Sequence, residues 1–245
     1  MGNAVQNTSE YNKTPLGARL GEGIFCIIYL VFMVVLIFLM NTRYESAKAS
    51  ENLIDIYRFG MGTLLVALLV GGDAFHLIPR IIIDFRGSMP KQDFFLGLGS
   101  MISSLTMTIF YNILITMGDS MEYNPDMYNY DIENTILVLT GIRILLVILP
   151  QNKWFENKPN RKWAKIRNVP FALIGLLTVF GLINVIHHAV NYPASFYVII
   201  MITVILSFLF YLPVAILSKE KPKLGMLMIP KTICYMVMLG VICFY

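Results

Sequence analysis

The chain has 245 residues, 57% of them hydrophobic and only 14% charged, with a mean hydropathy of +0.67 and a formal net charge of +4. Soluble domains carry about 25% charged residues, so this composition excludes an ordinary soluble enzyme and points to a membrane protein. So small an excess of positive charge gives no reason to expect a nucleic-acid partner.

A polar tail is expected over residues 1–23, followed by one transmembrane domain over 24–245. The opening "MGNAVQ" lacks the Ser or Thr that a myristoylation signal needs at position 6. Ala47, Lys48 and Ala49 have the form of a cleavage site. The run before them is longer than the ~7–15 residues of a signal-peptide core, so the first segment is expected to remain as a helix.

Apolar runs of the length that crosses a bilayer core, about 20 residues, then follow in order. They cover 24–40, 56–78, 94–117, 135–149, 169–187, 196–217 and 226–245, the fourth short and the first only 17 residues long, which predicts an all-α polytopic bundle of seven transmembrane helices. The connections are too short for a separate domain. Cys26, Cys234 and Cys243 all fall inside apolar runs, suggest neither a disulfide framework nor a zinc site, and read as small packing residues.

Loop charge orients the helices, because Lys and Arg collect on the cytoplasmic side. The connection after the fourth run carries Lys153, Lys158, Arg161, Lys162, Lys165 and Arg167, and the one after the sixth carries Lys219, Lys221 and Lys223. The connection after the third has Asp119, Glu122, Asp126, Asp131 and Glu133 and no base. Alternation places the N-terminus in the cytoplasm and the C-terminus outside. Trp154 and Trp163 on one side, and Tyr123, Tyr128 and Tyr130 on the other, suit interfacial aromatic belts.

Against this background "LVGGDAFHLIPR" stands out. Asp73, His76 and Arg80 are spaced to share one helix face. Gly71 and Gly72 are expected to let a neighbouring helix come close, and Pro79 to bend or end the second helix. Arg143 lies about 10 Å from the inner end of its run, and Lys231 a similar distance past the inner loop. Ser100, Ser103 and Ser104 fall in the inner half of the third run. A charge at mid-bilayer costs about 2.5–3.5 kcal/mol, so such groups face the bundle interior and seek partners.

Asp73 and Arg143 are the expected ion pair. His76, Lys231 and Arg80 are then surplus, and a cavity of that sign suits an anionic ligand or lipid headgroup. The plainer readings are a structural interhelical bond for Asp73–Arg143, an interfacial Lys231 and a headgroup contact for Arg80. His187 and His188 sit at the far end of the fifth run from His76, which argues against a metal site. No Gly-rich phosphate loop, G-x-S-x-G, H-E-x-x-H or C-x-x-C appears, so no cofactor is expected. The basic loop "KPNRKWAKIR" suits anionic lipid better than nucleic acid.

The second and third runs, "LLVGGDAFHL" and "FFLGLGSMISSLTMTIFYNI", resemble the YhhN family of lysoplasmalogenases. The resemblance covers about 50 residues and implies a polytopic hydrolase of the vinyl-ether bond of a lysophospholipid, with intramembrane aspartates as acid and base. Asp73 is the position that carries over. The family's third-helix His-x-x-Tyr end is replaced by the region of Thr108 and Tyr111, and no later run contains a second Asp. An Asp73 held by Arg143 would be a poor proton donor, leaving His76 as the better one.

Three functions stay open at this point. The first is an enzyme or binding protein for an amphiphile with an anionic headgroup, with Asp73 and His76 as catalytic candidates and Arg143, Lys231, Arg80, Ser100, Ser103 and Ser104 as ligand contacts. The second is a small-anion or proton-coupled transporter using Asp73, His76 and Lys231 as a relay. The third is a sensory or scaffold protein whose polar cluster is structural.

Overall fold

A computed structural model describes residues 16–122, 130–156, 160–217 and 222–245. They form seven α-helices: α1 Leu16–Ala49, α2 Leu53–Arg86, α3 Gln92–Met121, α4 Tyr130–Ile148, α5 Arg161–His188, α6 Ala194–Leu217 and α7 Met228–Phe244. Short 3₁₀ turns at Pro150–Asn152 and Pro222–Leu227 precede α5 and α7, and no strand occurs among the described residues. All but α4 are long and apolar enough to cross a membrane. The protein is therefore a multi-pass helical bundle by length and composition.

The helices outrun the apolar stretches that announce them. α1 begins at Leu16 rather than near residue 24, and α5 at Arg161 rather than near 169. At 34 residues, α1 and α2 each reach about 50 Å, beyond the ~30 Å of hydrocarbon. The extra turns bring in charged residues such as Arg19, Arg86 and Lys162 while keeping the same backbone hydrogen bonds.

α2 also corrects the expectation that it ends near Pro79. It runs on to Arg86 and stops at Gly87, whose φ of 84° places it in the left-handed region that favours glycine, and whose N–H caps Ile83 O. Pro79 withholds one hydrogen bond and leaves the Phe75 carbonyl without its helical donor. Gly99 of α3 packs directly against the backbone of Phe75 and His76, where a Cβ would collide. Of the two glycines singled out in α2, Gly72 lies against Thr106 of α3, but Gly71 faces open space and brings no helix closer.

Packing follows chain order, α1 on α2, α2 on α3 and onward, and α7 closes the ring against α1, α2 and α6. α3 is the central helix, since it also touches α5. Buried positions on α1 recur at 26, 29, 33, 36 and 40, one narrow seam, while Val31, Val34, Val35 and Phe38 point outward. An apolar exterior around a seam of this kind is what a helix against lipid requires.

Each end of the bundle is fastened by polar bonds. At one end Arg19 donates to the Ile83 and Asp84 carbonyls, and Phe94 stacks on Phe155. Asn152, fully buried, donates to the carbonyls of Leu146, Val147 and Leu149 and accepts from Arg167 at 2.8 Å. Trp154 Nε1 donates to Val147 O at 2.9 Å. Trp154 is thus a buried cap rather than the interfacial anchor expected of it. These bonds take up the orphan carbonyls at the end of α4 and so position Arg143 one and a half turns earlier. Asn152→Ala is expected to cost about 2–4 kcal/mol, because it strands several buried acceptors and Arg167 together. Thermal unfolding of the purified variant checks this, and an unchanged midpoint would show that α4 is held some other way.

At the opposite end Glu122, 7% exposed, accepts from the backbone N–H groups of Val190, Asn191 and Tyr192 and from the Tyr197 hydroxyl. Tyr192 donates in turn to Asp55. Burial, then that hydrogen bond, pushes the Tyr192 phenol above its ordinary range. Tyr123 and Tyr128 lie outside the described residues, as does the tail over 1–15.

Candidate functional site

Two adjoining cavities open inside the bundle on the side of the Asn152 cap. The larger, about 170 Å³, is lined by residues of α2 to α7 and by Trp154. The smaller, about 60 Å³, lies between α1, α2, α3 and α7. His76, Ser103, Met228 and Lys231 border both.

Every candidate from the sequence is in one wall or the other. The larger chamber takes His76, Ser100, Ser103, Ser104, Arg143 and Lys231. The smaller takes Asp73, His76, Arg80, Ser103 and Lys231, together with Glu22. The expected partnership inside this group does not form, however. Asp73 accepts from the Tyr29 hydroxyl at 2.8 Å and from Ser103 at 2.9 Å, and no ion pair joins it to Arg143. The reason is lateral placement: α1 and α3 flank α2 and present their hydroxyls to Asp73, whereas α4 makes no comparable contact with α2. Arg80 is taken by Glu22 of α1 at 2.5 Å.

Arg143 is left in an unusual state. It is 1% exposed, its guanidinium lies 3.4 Å from the centre of the Phe171 ring, and its Nε and Nη1 have no hydrogen-bond partner among the described residues. Lys231, 8% exposed, sits over Tyr211 at 4.8 Å and Tyr235 at 5.3 Å. It is held inside the bundle, not at an interface. A third cation, Arg167, lies 4.0 Å over Trp154. Among the described residues the larger chamber has no Asp or Glu in its wall. Cation–π contacts supply only about 0.5–2 kcal/mol each, well short of what stripping water from a charge costs.

The wall hydroxyls are already committed. Ser100 donates to Leu96 O, Ser103 to Asp73, Ser104 to Ser100 O, and Tyr211 to Asn168. Ser100 Oγ is also 3.3 Å from His76 Nδ1. Ser100 thus lies between the Leu96 carbonyl and the His76 ring, and which of the two nitrogens of His76 carries the hydrogen sets the direction of that contact. Behind the chamber Tyr111 bonds Ser207 at 2.9 Å and Tyr235 at 3.1 Å, closing the wall without reaching into it.

Arg167, Phe171 and Tyr211 escaped the sequence reading. Arg167 looked like one more orienting charge in a basic loop, and nothing in the sequence distinguishes an inward-turned arginine there. Phe171 and Tyr211 sit in apolar runs where aromatic residues are commonplace. Glu22 lay in the stretch read as a tail. His187 is exposed, and His188 Nδ1 bonds the Asn184 carbonyl of its own helix. Comparison of the chain with protein-family models, with curated proteins and with solved structures gives no match.

Proposed function

We propose that this is a seven-span protein, N-terminus in the cytoplasm and C-terminus outside, which binds the anionic headgroup of a membrane amphiphile in a chamber in the cytoplasmic half of the bundle. The observation that carries this reading is Arg143, a buried guanidinium without a carboxylate among the described residues, facing the same chamber as Lys231. A buried charge without a carboxylate partner is stabilised when a counter-charge arrives from outside, and this one faces a space that can admit it. The orientation rests on the bases at the chamber end, Lys91, Lys153, Lys162 and Arg167, against the acids at the other. Lysolipid-like molecules suit the size, because about 170 Å³ is less than the ~300–1,000 Å³ of pockets for whole drug-sized ligands and leaves the alkyl chain outside.

A second reading, lysolipid hydrolysis of the kind suggested by the YhhN resemblance, draws on the smaller cavity. There Asp73, His76 and Glu22 come to one space, and Glu22 supplies from α1 the second carboxylate that the later spans lack.

Native mass spectrometry of the purified protein tests both. The parent is expected to retain anionic lipid in excess of its share of the membrane, and Arg143→Gln and Lys231→Gln to lose that excess. Identical lipid complements in all three would remove the binding reading. The same preparations given a vinyl-ether lysolipid would release aldehyde, and Asp73→Asn would not, if the second reading holds.

A further inference from the structure

From the chemistry of the larger chamber we infer that it selects a phosphomonoester, a doubly charged terminal phosphate, over phosphodiester and zwitterionic headgroups. This rests on the anionic-headgroup reading above and narrows it to a substrate class.

Charge is the first argument. Arg143, Arg167 and Lys231 border one space, and among the described residues no carboxylate borders it with them. A phosphodiester brings one negative charge, whereas a phosphomonoester brings about −1.5 to −2 at neutral pH and three acceptor oxygens. Where several buried cations await one ligand, the more highly charged group leaves fewer of them uncompensated.

Donors are the second. With the hydrogens of Ser100, Ser103, Ser104 and Tyr211 given to protein acceptors, the N–H groups left to offer are those of the cations. Arg143 alone presents Nε and Nη1 without partners. A site whose free donors all sit on cations binds the most strongly accepting anion, because charge-assisted bonds are about twice as strong as neutral ones.

The third argument excludes the choline and ethanolamine headgroups. Their ammonium groups need a carboxylate or an open aromatic face. The aromatic faces here are covered by the protein's own cations, Phe171 by Arg143, Trp154 by Arg167 and Tyr211 by Lys231. Asp73, next door, is already held by Tyr29 and Ser103. Inside the larger chamber an incoming ammonium would meet three cations and, among the described residues, no carboxylate, since Asp73 and Glu22 lie in the adjoining cavity with Glu22 on Arg80.

A terminal phosphate reaches the chamber either on a single-chain lipid or as a free small anion. Thermal shift of the full-length protein in neutral detergent separates the two sources. The probes are lysophosphatidate, lysophosphatidylglycerol, lysophosphatidylcholine and inorganic phosphate. Lysophosphatidate is expected to shift the midpoint at a concentration at least tenfold below lysophosphatidylglycerol, with no shift from lysophosphatidylcholine. The preference should vanish in Lys231→Gln and persist in Lys48→Gln, which alters an exposed pair at the other end of α1 from Glu22. Equal response to the two anionic lysolipids would overturn the monoester inference while leaving the headgroup reading in place. A response to inorganic phosphate equal to that of lysophosphatidate would uphold the phosphate chemistry and overturn the amphiphile. No response to any probe would overturn both.

Discussion

Arg143→Met is expected to make the ligand-free protein more heat-stable and, in the same step, insensitive to anions. The arginine is 1% exposed, and among the described residues no ion pair reaches it. Replacing even a buried ion pair with apolar groups of similar volume is often neutral or stabilising by about 1–4 kcal/mol, and Arg143 lacks the partner such a pair supplies. The lost contact with Phe171 offsets up to about 2 kcal/mol of that. A net gain of about 1–2 kcal/mol is the expected balance. The parent, by contrast, should gain about 2.7 kcal/mol from a ligand at a hundred times its Kd, and the variant nothing. Thermal or denaturant unfolding with and without lysophosphatidate reads both quantities. If Arg143→Met instead loses more than about 2 kcal/mol without ligand, the guanidinium is a structural member of the core and the chamber loses its main argument.

Glu122→Ala should be the most damaging single change outside the chamber. Its two carboxylate oxygens receive four donors, at 2.7 and 2.8 Å on one and 2.9 and 2.8 Å on the other. Three of these are backbone N–H groups of the turn into α6, and the fourth is the hydroxyl of Tyr197, a fully buried residue. Hydrogen bonds to charged groups contribute about 1.5–3 kcal/mol each, and they are not additive, so a loss of at least about 4 kcal/mol is expected. That is a large share of the 5–15 kcal/mol by which most proteins stay folded. Glu122→Gln should fall between, because its amide keeps an acceptor for one pair of donors and turns N–H groups on the other. Glu45→Gln provides the contrast. Its pair with Lys48 is exposed on both sides and should make no measurable difference. The series is read by unfolding midpoints, and equal midpoints for Glu122→Gln and Glu45→Gln would show that the clasp does not hold this end together.

The two residues share a lesson about what side-chain chemistry reveals in one dimension. Glu122 was one of five acids in a stretch that served only to orient the bundle, and nothing in its neighbours announces that a turn nearly 70 residues away folds onto it. Asp73 and Arg143 are the reverse case. Both stood out as charges inside apolar runs, and both do lie in the interior. Their pairing was a guess from charge sign and depth, and depth alone cannot say which helices are neighbours. α2 lies between α1 and α3, so Tyr29 and Ser103 reach Asp73 first.

Composition and periodicity, which act through water and lipid on every residue at once, determined that this chain is a bundle of long apolar helices and which side chains would be costly inside it. Run lengths went less far, because a helix continues past the hydrocarbon for as long as its backbone bonds are met, as α1, α2 and α5 do. What only the tertiary structure decided is who meets whom: that Arg80 finds Glu22, that Trp154 and Asn152 cap α4, and that three cations end up over three aromatic rings around a space that no carboxylate among the described residues borders. Those partnerships depend on the order of helices around the ring, which is set by packing contacts such as Gly99 on the α2 backbone rather than by any local pattern.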